Sequence, residues 1–165
     1  MRLRRLEREC RRLIADIEVP EPFELSAFLS YVAARRGRDL HLHPQPAPAG
    51  APCGLWLATD RADHVFYAAG TDPLHRRHII LHEIGHILCE HTAPGLVLPD
   101  LDPGTVAQVL RRSTYSAPQE QVAEMIATMI SERALRGPAA PPPPDDPLLR
   151  GLAEALIPGP AHGRR

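Results

Sequence analysis

The stretch His78-Ile-Ile-Leu-His82-Glu83-Ile-Gly-His86-Ile-Leu-Cys-Glu-His91 constrains the fold more than any other part of the chain. Ile79, Ile80, Leu81, Ile84, Ile87 and Leu88 leave a helix here with little polar face, so the helix must be buried. It nevertheless carries two histidines and a glutamate, which are costly to bury without strong partners. His82 and His86 are four residues apart, so both imidazoles project from one face, one turn apart. That spacing suits two nitrogens meeting one Zn²⁺ at about 2.0–2.1 Å. Glu83 points about 100° round the helix, beside such a metal instead of on it. A general base for water activated by the metal must stand there. Nine His and eleven Glu in 165 residues produce His-Glu-x-x-His by accident in about 3 of 100 such sequences, so the apolar context carries much of the weight. Without it the segment reads as a His-rich amphipathic helix.

A catalytic zinc takes a third protein ligand and keeps a fourth position open. Gln119-Glu120-Gln-Val-Ala123-Glu124-Met-Ile-Ala127 offers that ligand, with Glu120 and Glu124 on one helical face and Ala123 and Ala127 beside them. The small residues allow a close approach to the histidine helix, which gives Glu120 as ligand. Glu124, one turn on, is placed to accept the second ring N–H of a ligand histidine. A solvated acidic surface face is the alternative reading. Tyr115, five residues before Glu120, is either an oxyanion donor or a structural tyrosine. His78 is either a pocket residue or a surface histidine. Cys89 and His91 leave open a second metal.

Elsewhere the periodicity predicts an amphipathic helix over 1–18, stopped by Pro20 and Pro22, and a second over 24–36 with Gly37 just past its end. Arg35, Arg36 and Arg38 read as a solvated basic cap on that helix. Runs 39–43, 54–59 and 64–68 read as strands, the last two forming a hairpin through Asp60-Arg-Ala-Asp63. Trp56 and Phe66 on the hairpin are expected to pack against the helices, and Cys10 and Cys53 to be buried thiols. Asp72-Pro73 opens the histidine helix, Asp102-Pro103 a short helix to about 112, and Ser116-Ala-Pro-Gln119 another over about 117–136. The core-forming part is therefore 1–136, with 22–136 as its catalytic portion. Residues 137–165 form a Pro-rich linker and short tail.

Composition removes several function classes. Nineteen basic residues against 20 acidic ones give a net charge of −1, which argues against direct nucleic-acid binding by bulk electrostatics. Three cysteines at unrelated spacings imply no disulfide framework. The first twenty residues contain no apolar h-region and no run is long enough to cross a membrane, so a cytoplasmic location is expected.

The pair His82-Glu-x-x-His86 and Glu120-x-x-Ala-Glu-x-x-Ala127, with a hairpin ahead of the first motif, resembles the ImmA/IrrE family of bacterial metallo-endopeptidases over about residues 22–136. The resemblance implies a gluzincin-like zinc protease acting on helix-turn-helix repressors often encoded next door, in some cases as the toxin half of a toxin–antitoxin pair. It places the zinc ligands on His82, His86 and Glu120 and the general base on Glu83. The chain departs from the family pattern at Glu124, where Asn or Asp is usual, and at Ile126 and Thr128-Met-Ile-Ser131. The expected architecture is α+β: a small three-stranded sheet against a helical layer carrying the active-site helix. A non-proteolytic metal-binding partner of a transcription factor is the alternative function.

Overall fold

The computed structural model describes residues 2–46, 53–91, 97–98 and 115–136. Helix α1 (Arg2–Leu13) is shorter than the periodicity predicts. The chain leaves the helix at Leu13 but continues in a turn that still buries Ile14 and Ile17. The Arg133 guanidinium stabilises this ending by donating to the Ile14 and Ile17 carbonyls of the turn at 3.0 and 3.3 Å. Helix α2 (Leu25–Arg36) closes on Gly37, whose φ of 64° suits a residue without a Cβ.

Three strands follow: β1 (Asp39–Gln45), β2 (Gly54–Thr59) and β3 (Ala62–Ala68). β1 runs parallel to β3, and β2 pairs with β3 as an antiparallel hairpin. The connection between β2 and β3 is only Asp60-Arg61, two residues tighter than expected, because Ala62 and Asp63 already belong to β3. A two-residue strand, β4 (Val97–Leu98), adds to β2 at Ala58 and Thr59, giving a four-stranded mixed sheet of order β1-β3-β2-β4 instead of the expected three strands. Its two residues carry no periodicity that a sequence reading could register.

Helix α3 (Pro73–Leu88) opens on Asp72, whose carboxylate accepts from the Leu74 and His75 amides. Helix α4 (Ala117–Leu135) opens on Ser116, whose amide and hydroxyl both donate to Gln119 Oε1. The core forms where α3 meets α4 and the sheet: Ile80, Leu81, Ile84 and Ile87 pack with Ile126, Ile130, Val65 and Trp56, and with Phe28 of α2. The mixed helix-and-sheet arrangement agrees with the expected α+β class. No helix among the described residues is long and apolar enough to cross a membrane. The expected helix over 102–112 and the segment 137–165 lie outside the described residues.

Two expectations need correction here. Arg36 and Arg38 are not a solvated cap. Arg36 Nε donates to Asp63 at 2.8 Å, Arg38 bonds the Thr59 and Ala62 carbonyls, and Trp56 Nε1 donates to the other Asp63 oxygen at 3.0 Å. Asp63 is 1% exposed, so Arg36 and Trp56 satisfy a buried carboxylate that the hairpin places on the core side of β3. Phe66 faces away from the helices and stacks on His43, since strand alternation sets it opposite Val65.

Candidate metal centre

The crossing of α3 and α4 depends on absent side-chain volume. A Cβ at Gly85 would lie 2.9 Å from the Ala123 carbonyl oxygen and 3.0 Å from its Cα. These are backbone atoms that cannot move aside, so only glycine fits the contact. This glycine sits inside the motif and carried no signal of its own, whereas Ala123 and Ala127 were readable as the small face opposite. Close approach then brings Glu120 of α4 to the histidines of α3.

Three ligand atoms converge there. His82 Nε2 lies 3.1 Å from Glu120 Oε2 and 3.2 Å from His86 Nε2, while Glu120 Oε1 is 3.9 Å from His86 Nε2. One ligand atom from each of the three residues falls within a 4.8 Å span, so the cluster could hold a metal ion. The edge of a tetrahedron with bonds near 2.1 Å is about 3.4 Å, close to these separations. His86 is fully buried, and burial, followed by the nearby His82 and His91, lowers its pKa to about 3. It therefore presents a neutral imidazole, the form that binds metals.

The partners behind the ligands are also in place. Glu124 Oε2 meets His82 Nδ1 at 3.1 Å, as expected for a carboxylate orienting a ligand ring. The same carboxylate meets His78 Nε2 at 3.0 Å, which joins His78 to the site. Burial pushes the Glu124 carboxyl up, but its hydrogen bonds to His78 and His82 outweigh that and hold it below its ordinary value. His91 Nδ1 contacts His86 Nδ1 at 3.1 Å, so it backs the buried ligand. Among the described residues Cys89 and His91 do not assemble a second three-ligand group. The Tyr115 ring lies on His86, with centroids 3.6 Å apart and planes 16° from parallel.

Glu83 stands apart from the three, as its place on the helix requires. It is 4% exposed, and its carboxyl is pushed up to about 8, first by burial and then by the charge of Glu120, against the hydrogen bond of the Trp56 amide. Gly54 makes room for it: a Cβ there would lie 2.6 Å from Glu83 Oε1. Glu83 Oε2 and the Tyr115 hydroxyl are both buried without a hydrogen-bond partner among the described residues. Both line a cleft of about 230 Å³ that His82 and Glu120 also border. Orphaned polar atoms around a His-His-Glu set fit a divalent ion with water or a polar ligand beside it. Cys53, expected buried, is exposed and sits at this cleft beside Gly54. The chain matches no family model, and no curated protein or solved structure is significantly similar to it.

Proposed function

We propose that the chain is a zinc-dependent endopeptidase of the kind its resemblance to the ImmA/IrrE family implies, acting in the cytoplasm on a helix-turn-helix repressor. A role as the toxin half of a toxin–antitoxin pair fits the same chemistry. The observation that carries the reading is Glu83: a structural metal site has no use for a buried carboxylate with a free oxygen beside its ligands.

His82, His86 and Glu120 would hold the ion. Zinc bound there would supply Lewis acidity toward a carbonyl and water and, as a dication, draw Glu83 toward its carboxylate form. Glu83 takes a proton from the attacking water as its oxygen adds to the carbonyl carbon. The same group then delivers that proton to the amine nitrogen as the C–N bond breaks. The Tyr115 hydroxyl, which lines the cleft and has no partner among the described residues, donates to the developing oxyanion. β2 starts at Gly54 beside Glu83 in this cleft, so an extended peptide docked along that strand would reach the base.

Co-expression with the repressor encoded nearby tests the reading. Glu83→Gln should keep metal and fold while cleavage falls by about 10²–10⁴-fold. If the variant still silences the repressor without cutting it, the non-proteolytic partner is the correct function.

A further inference from the structure

The sheet carries a second group of histidines, remote in sequence from the first. Alternation along β1 turns Leu40 and Leu42 toward the core and His41 and His43 to the opposite face. Parallel pairing sets His41 directly across from His64 of β3, with His43 one step further along the same face. His43 Nε2 and His64 Nδ1 are 3.0 Å apart, and the His41 ring stacks on His64 with centroids 5.3 Å apart.

The tautomer of His64 follows from its other neighbour. The Thr59 hydroxyl donates its only proton to the Ala62 carbonyl at 3.1 Å and accepts the Ala62 amide at 3.1 Å. His64 Nε2 faces its remaining lone pair at 3.5 Å, so the tautomer with hydrogen on Nε2 has an acceptor there. His64 Nδ1 is then a bare lone pair aimed at His43. A ligand imidazole is held in this way, its far N–H given to a fixed acceptor.

We infer that His43, His64 and His41 form a second divalent-metal site, of the imidazole-rich kind that suits Zn²⁺, on the face of the sheet away from α3. Two nitrogens already stand near the separation of two ligands on one ion. His41 is exposed and reaches the ion by a change of rotamer, which costs an exposed side chain little. Water completes the coordination. A metal there would tie β1, whose only strand neighbour among the described residues is β3, across the parallel pair.

Zinc titration of the full chain against a chromophoric chelator, with metal counted by mass spectrometry, tests the site. The wild type should take up two equivalents. His82→Ala should lose one and His43→Ala/His64→Ala the other. His41→Ala, altering only an exposed side chain, should weaken the second equivalent by at least about tenfold and leave the first unchanged. One equivalent in the wild type, or a second equivalent that survives the sheet variants, overturns the site. Circular dichroism checks that the double variant folds; if it does not, His41→Ala decides alone.

Discussion

The two histidine groups are assembled by opposite means. At the helix crossing, His82 and His86 are set by one turn of α3, and tertiary structure supplies only Glu120, 34 positions beyond His86. On the sheet, His41 and His43 share a strand but need His64, which only the register of a parallel pair can deliver. The first group is half-built before the chain folds and includes a carboxylate; the second is all imidazole and incomplete until His41 turns. A site on two packed helices is fixed in geometry, whereas one that relies on an exposed side chain of an outer strand must be completed by the ion. The two should therefore respond differently to changes in packing and in their supporting partners.

The largest effect should come from closing the gap on which the helix site depends. In Gly85→Val the new Cβ meets the Ala123 backbone at 2.9–3.0 Å, so α3 and α4 must separate. We expect a loss of about 1–3 kcal/mol, seen as a melting temperature lower by roughly 5–10 °C. The first zinc equivalent should weaken sharply, because Glu120 moves away with α4, while the sheet equivalent keeps its affinity. Unchanged melting and zinc uptake would show that the helices do not depend on this contact.

What could be read from sequence divides along the same line. The candidate ligands His82 and His86, the displaced Glu83, and the face bearing Glu120, Glu124 and Ala123 all rest on the helical period, which is local. The structure brings these residues together, with Glu124 reaching His82 as the spacing suggests. Features that depend on contacts across the fold were not legible. Arg36 and Arg38 looked like a solvated cap because their partner Asp63 sits 25 or more positions away on a strand whose start was placed two residues late. Gly54 and Gly85 are defined by what presses against them, and no pattern within their own segments reports that. The His41–His64 pairing needs a parallel register that alternation alone does not specify.

A smaller effect should follow from removing Glu124, which supports only one group. Glu124→Ala takes away the partner of His82 Nδ1 and of His78 together. Loss of such an orienting carboxylate typically lowers metal affinity about 10–100-fold. The side chain is 56% exposed, so the fold itself should be little affected. The sheet equivalent, whose supporting partner is the Thr59 hydroxyl, should bind as before. A first equivalent of undiminished affinity would make Glu124 an ordinary surface carboxylate.

The smallest effect concerns the metal-stripped protein, where two buried groups of the helix site pull stability in opposite directions with pH. The folded Glu83 carboxyl is raised to about 8 from 4.5, so between those values the unfolded chain has released a proton that the folded one retains. Its contribution is complete below about pH 4.5 and is lost as pH rises toward 8. His86, lowered to about 3 from 6.5, does the reverse: its contribution is complete above 6.5 and is lost as pH falls toward 3. Glu83→Gln removes the first of these and leaves the second. The amide's own unsatisfied hydrogen adds a cost that does not vary with pH, so the informative quantity is the change in the difference between variant and wild type. One unit of pKa displacement corresponds to about 1.4 kcal/mol, so the raised carboxyl changes that difference by at least about 1 kcal/mol over this range. Thermal melts of the two stripped proteins should therefore show the variant gaining roughly 2–4 °C on the wild type between pH 5 and pH 8. A constant gap across that range would mean that Glu83 ionises as freely in the folded chain as in the unfolded one, and the case for a poised base at this position would fail.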